Sequence, residues 1–216
     1  MRILLLTTLI FTAFLSFSCK NAQQSPAFEN AVNGLYPVDT ISIPPKALTI
    51  AQAAVSLTQQ KVVYDPAYFA IRYPNGDVPA DKGVCTDVVI RTYPKLGIDL
   101  QQKVHEDMVK NFNLYPKIWG LKKTDTNIDH RRVPNLQVFF KRFGRVKAIS
   151  DDPSLFQAGD IVTWELGRGL THIGMVSNRK SSDGKRYLIV HNIGNGQELS
   201  DCLFEYTMTG HYAYSF

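Results

Sequence analysis

Three residues of this 216-residue chain, Cys85, His172 and His191, are of the types that nucleophilic catalysis needs. Cys85 lies in GVCTDVVIRTY, Gly83 to Tyr93, where a glycine precedes it and the first turn of a helix follows. A cysteine attacks as its thiolate, and an ordinary thiol pKa of about 8.5 leaves little of that form at neutral pH. A helix N-terminus favours the anion, because its unpaired N–H groups and aligned dipoles amount to about half a positive charge. A histidine partner does more, by taking the proton.

His172 in THIGMV and His191 in YLIVHNIG fall on consecutive strand-like segments. Side chains directly opposed on neighbouring strands have Cβ atoms about 5 Å apart, so one imidazole can serve as base while the other orients it. Asn192 is the alternative orienting group. Adjacent strand residues face opposite sides of a sheet, so only one of His191 and Asn192 can fill that role. Cys85 also has plainer readings: a buried packing residue, or half of a disulfide with Cys202, since two cysteines remain once Cys19 is assigned to the leader. A zinc site built from Cys85, His172, His191 and Cys202 has suitable ligand types but no short-spaced pair, and no metal or cofactor is expected.

The elements that must carry these residues are legible in the patterning. ALTIAQAAVSLTQQ, Ala47 to Gln60, has apolar residues at helical spacing. A second helix begins around Cys85 and is expected to end at Pro94. Asp99 is placed to cap a third helix running to Phe112, and Asn135 to Phe143 make a fourth. From Gly159 the pattern changes to strand-length segments, GDIVTWEL, THIGMVSN, RYLIVHNI and HYAYSF, with turns at GRG, SSDGK and GNG. Helices followed by strands predict an α+β domain, spanning 47–216, in which the helical half packs on an antiparallel sheet.

Residues 1–19 read as an export signal, because Arg2 is followed by a short uncharged apolar run ending at Ser18-Cys19. LSFSC resembles the lipobox of bacterial lipoproteins, which implies a lipid anchor on Cys19; ordinary signal cleavage is the alternative. Residues 20–46, with scattered Pro, Gly, Asn and Gln, read as a tether. The net charge of +5 becomes +4 without residues 1–19, whose one charged side chain is Arg2. Such a mild basic balance in an exported chain argues for an anionic cell-envelope polymer as partner rather than nucleic acid. In the DHRR run, Asp129 to Arg132, the arginines are either members of an ion-pair cluster or grips for a substrate carboxylate.

The order of Cys85, His172 and His191 on a helix and two strands resembles the NlpC-type branch of papain-like cysteine peptidases. YPNGDVPADKGVC is similar to that branch's Tyr-x-x-Gly segment, which implies that Tyr73 contributes near the oxyanion site. GDIVTWELGRGLTHIGMV is similar to its strand before the histidine. More closely, GVCTDVVIRTY, LGIDLQQKVHEDM, NIDHRRVPNL and HIGMVS…VHNIGNG resemble the YijF-like bacterial domain family of unknown function, from about Tyr64 onward. The NlpC-type branch has Asp before the cysteine to recognise a substrate amine; here the residue is Val84, and whether Asp87 substitutes for it is open.

The resemblance implies an exported cysteine peptidase or amidase, in the periplasm or at the outer membrane, that cleaves a peptide or amide bond in peptidoglycan. Cys85 would be the nucleophile, His172 the base, His191 its orienter and Tyr73 an oxyanion contributor, with Asp87, Arg131, Arg132 and Asn192 as substrate-binding candidates. A non-catalytic envelope binding module and a thiol-dependent acyl or amide transferase are the other readings of the same residues.

Overall fold

The computed structural model describes residues 45–215. Residues 1–44, on which the expected export signal, Cys19 and most of the expected tether fall, lie outside the described residues. Among those described, no helix is long and apolar enough to cross a membrane.

Four α-helices precede the main sheet: α1 (Pro45–Ser56), α2 (Cys85–Thr92), α3 (Leu100–Asn111) and α4 (Val133–Phe143). Ile50, Ala51 and Ala54 form the buried stripe of α1, and the two alanines leave room for close packing. α2 is buried over seven of its eight residues, an uncommon degree of burial that makes it the spine of the helical half. It stops at Thr92, and a 3₁₀ turn over Tyr93–Leu96 carries the chain to Gly97 at φ 78°. Pro94 therefore sits inside that turn rather than at the helix end. Asp99 caps α3 as its side chain accepts from the Gln102 N–H at 3.1 Å.

Two short strands, β1 (Val63–Tyr64) and β2 (Lys82–Gly83), pair in parallel just ahead of α2. The remaining strands are β3 (Arg145–Val146), β4 (Ile161–Glu165), β5 (Thr171–Lys180), β6 (Tyr187–His191), β7 (Glu198–Ser200) and β8 (Thr207–Ala213). They form one antiparallel sheet in the order β3-β8-β4-β5-β6-β7. The HYAYSF alternation captures only the latter part of β8, and β3 and β7 are too short to leave a periodic signal.

Alternation along the strands divides the core in two. Ile161, Ile173, Met175, Val190 and Tyr212 face the helices and join Cys85, Val88, Val89, Leu136 and Phe140 in the larger cluster. Val162, Trp164, Val176 and Ile189 face the other way, against Phe156, Cys202 and Leu203. Trp164 is fixed there by its Nε1–H, which donates to the Leu203 carbonyl at 3.1 Å. Each fully buried large apolar side chain contributes about 1.5–3 kcal/mol, so both layers hold the sheet. The architecture is α+β, with an antiparallel sheet and helices packed on it.

Candidate active site

The chain reaches Cys85 through a tightly held approach. Gly83 ends β2, and its carbonyl accepts from the Asp65 N–H at 3.1 Å and the Asn192 Nδ2–H at 3.2 Å. A Cβ on Gly83 would lie 3.3 Å from both Cβ and Oδ2 of Asp87 and 3.1 Å from Arg91 Nη1, so a larger residue would crowd the turn. Val84 is extended at φ −126° and precedes the helix. Its N–H donates to Asp87 Oδ2 at 2.7 Å, while the Asp87 N–H returns a bond to the Val84 carbonyl at 3.1 Å. That reciprocal pair closes the first turn and sets Cys85 at the helix N-terminus.

Cys85 and Cys202 are both free thiols, so the disulfide reading does not hold. They belong to different layers of the core. Cys85 is 8% exposed, and its thiol pKa is pushed up to about 11, first by burial and further by Asp87. The N–H groups of Ile173, Thr86 and Cys85 itself act in the other direction, stabilising sulfur charge. The thiol rests against β5 at Ile173, on the helical side of the sheet; His172, the preceding residue, alternates to the other side, with Trp164, His191 and Cys202. Among the described residues, no hydrogen bond joins this sulfur to a histidine, and the resting group is a neutral thiol.

His172 and His191 are each 2% exposed and meet directly, with His172 Nε2 at 2.8 Å from His191 Nδ1. Their rings are edge to face at 5.0 Å. Trp164 packs on His172 from the neighbouring strand at 5.8 Å between centroids. Gly174 makes the approach feasible, because a Cβ there would lie 2.6 Å from Ile189 Cγ2 and 3.2 Å from His191 Cβ. His191 Nε2 is engaged by Ser200 Oγ on β7 and lies 3.7 Å from Cys202 Sγ. Burial lowers His172 to about 3, with a further contribution from His191, and lowers His191 to about 4. Both imidazoles are therefore neutral at ordinary pH, each ready to exchange a proton but not to carry a standing charge.

Between the two candidates for orienter, it is His191 that touches His172. Asn192 is turned to the opposite side, where it ties the end of β6 to Gly83 and accepts from the Gly194 N–H at 3.2 Å. The structure brings Tyr64, not Tyr73, to the cysteine. Tyr64 lines the cleft on which Cys85 opens, and its hydroxyl pKa is raised by burial and by the Cys85 and Asp87 charges. Tyr73 lies elsewhere, its ring 5.0 Å from that of His105, and burial, Glu106 and Asp99 raise its hydroxyl pKa.

The cleft beside Cys85 is further walled by Trp119, Arg132, Pro134 and Thr171. Sequence reasoning missed Tyr64 and Trp119, which lie on connecting segments where no periodic or motif signal marks them. The two arginines of DHRR part company. Arg131 pairs with Asp87 through Nε to Oδ1 at 2.9 Å and Nη2 to Oδ2 at 3.0 Å, and gives Nη1 to the Ala67 carbonyl at 3.2 Å. Arg132 stacks its guanidinium on Trp119, with Cζ 4.0 Å from the ring centre. Among the described residues, no group of three or more His, Cys, Asp or Glu is arranged to hold a metal ion.

These elements define an α+β protein in which a helix N-terminal cysteine opens on an aromatic-walled cleft, beside a strand that carries one of two bonded histidines. The chain belongs to the family described as a domain of unknown function, DUF1287, whose model matches residues 51–214. It is 47% identical over 206 residues to the uncharacterized protein YijF of Escherichia coli (strain K12), covering 95% of this chain and 94% of that protein.

Proposed function

We propose that this protein is an exported cysteine hydrolase of papain-like, NlpC-type fold that cleaves a peptide or amide bond, with peptidoglycan peptides as the substrate class. One observation carries the reading. The Cys85 thiol, at a helix N-terminus, lies against β5 at Ile173, whose N–H acts to lower its pKa, one residue past His172, whose Nε2 meets His191 Nδ1 at 2.8 Å.

The chemistry follows from two neutral groups. With the thiol near 11 and His172 near 3, a preformed thiolate–imidazolium pair is not the resting state. In this reading the His172 ring turns from the Trp164 side toward Cys85 and takes the thiol proton as sulfur attacks the carbonyl carbon, which is general-base catalysis. The new C–S bond pushes the carbonyl electron pair onto oxygen, for which the Cys85 and Thr86 N–H groups are the donors in this reading. Collapse expels the amine with the proton from imidazolium, and water then releases the acyl group by the same steps. The strict test is hydrolysis of purified murein fragments by wild type and Cys85→Ala. Equal rates sink the assignment; loss of turnover in the variant supports it.

A second reading is a binding module that keeps the fold without turnover. It is favoured by the raised thiol pKa together with the lack, among the described residues, of a histidine hydrogen bond to the sulfur. Affinity for murein fragments with no fragment cleaved by either protein would select it.

A further inference from the structure

The charge arrangement of the Cys85 cleft defines the ligand it takes. An acidic residue that bound a substrate amine would have to be free, and Asp87 is not. Both of its oxygens are bonded to Arg131, and Oδ2 also accepts from the Val84 N–H. Asp87 and Arg131 side chains are each 2% exposed, so although Arg131 also borders the cleft its charge is matched by Asp87.

Arg132 is the opposite case. It lines the same cleft as Cys85, and Nη1 is buried with no hydrogen-bond partner among the described residues. An unsatisfied buried guanidinium N–H is costly, because the desolvation is not repaid by a bond. The carboxylates whose charges act on it are Asp129 and Asp125; neither hydrogen-bonds it, and Asp129 Oδ1 is itself buried with no partner among the described residues. Asp129 Oδ2 is bonded to His105 Nδ1 at 2.9 Å and to the Asp125 N–H at 2.8 Å. Asp125 accepts from the Tyr68 hydroxyl at 3.1 Å and the Asn127 N–H at 2.9 Å. Trp119 stacks on the guanidinium, and the side chain lines the cleft, so a carboxylate entering there meets a planar cation whose orientation is set.

We propose that Arg132 is the anion-recognising residue of the Cys85 cleft, and that the ligand carries a carboxylate close to the bond presented to the thiol. The position of that bond rests on the cysteine-hydrolase reading; recognition of the carboxylate by Arg132 does not. The cleft is thereby set for an acidic peptide rather than for a free amine, with Trp119, Tyr64 and Pro134 as apolar walls for the neighbouring chain.

The test compares two alkylating reagents of nearly equal size, iodoacetate and iodoacetamide, on the full-length protein at pH 9. In each case an S–C bond forms at Cys85, iodide leaves and the thiol proton goes to buffer. Modified Cys85 is quantified by mass mapping of its peptide, separately from Cys202. A thiol without an anion site reacts more slowly with the anionic reagent. Wild type is expected to favour iodoacetate, saturably, with the iodoacetate-to-iodoacetamide rate ratio falling at least tenfold in Arg132→Gln and by less in Arg132→Lys. A ratio unchanged by Arg132→Gln overturns the proposal.

A second measurement does not need a reactive thiol: titration of the Trp119 fluorescence, read in Trp164→Phe so that no other tryptophan contributes, with N-acetylglutamate α-amide and N-acetylglutamine α-amide. Saturable change with the carboxylate alone supports the proposal, even where Cys85 proves unreactive and the hydrolase reading fails. No saturable change with the carboxylate overturns it.

Discussion

Asp87, two residues past Cys85 on α2, and Arg131 meet through two hydrogen bonds, at 2.9 and 3.0 Å. Asp87 also closes the first turn of α2, so one carboxylate fixes both the helix that presents the cysteine and the 3₁₀ turn (Asp129–Arg131) that enters the cleft wall. A buried pair of this kind returns its desolvation cost only while both partners are present.

Removal of either partner is therefore expected to destabilise the fold strongly. Asp87→Asn and Arg131→Met should each cost about 3–5 kcal/mol, and the double variant should lose much less than the sum. Urea unfolding of the four proteins measures the coupling. Additive losses would mean that the pair is not the unit described.

The thiol and the base are predicted to respond to different variants. Alkylation of wild-type Cys85 by iodoacetamide should rise toward a midpoint of about 11, and His172→Ala should leave that midpoint in place. Murein hydrolysis should fall by about 10²–10⁴-fold in the same variant, the usual contribution of a general base. A wild-type midpoint near neutrality that moves up in His172→Ala would instead establish an ion pair and refute the neutral resting state.

Acid should unfold the protein partly through its buried histidines. His172, His130 and His191 are lowered by burial to about 3, 4 and 4, below the ordinary unfolded value of about 6.5. The unfolded chain thus binds protons first as the pH drops. Their contribution to stability is complete above about pH 6.5 and is lost progressively below it, at up to about 1.4 kcal/mol per pH unit for each histidine, until the folded values are reached. Comparing unfolding free energies at pH 7.5 and 4.5 for wild type, His172→Gln and His191→Gln checks this. Each variant should show a smaller drop than wild type.

Gly174→Ala tests the packing that lets the two histidines meet. The added methyl would have to displace Ile189 Cγ2 at 2.6 Å and press on His191 Cβ at 3.2 Å. Overpacking of this size costs about 1–3 kcal/mol. Thermal unfolding should show the loss, and the imidazole NMR shifts of both histidines should move. Unchanged shifts would mean that the strands part elsewhere and the contact survives.

The sequence by itself determined what is written in local periodicity and punctuation. Helical spacing before residue 144 and alternation after Gly159 specify an α+β chain. A cysteine after glycine at a helix start, and two histidines on successive strands, follow from patterns only a few residues long. Asp99 was legible as a cap because capping joins residues three apart in the chain. Only the tertiary structure decided which groups share a space. Asp87 and Arg131 stand 44 positions apart, and nothing in either neighbourhood distinguishes Arg131 from Arg132. Sequence motif pointed to Tyr73, yet Tyr64 reaches the cleft, because the parallel pairing of β1 with β2 carries the earlier segment alongside Gly83. Likewise, His191 and Asn192 are equivalent in the sequence until strand pairing turns one toward His172 and the other toward Gly83. Contacts of this kind are set by chain closure and packing over long separations, which local spacing does not encode.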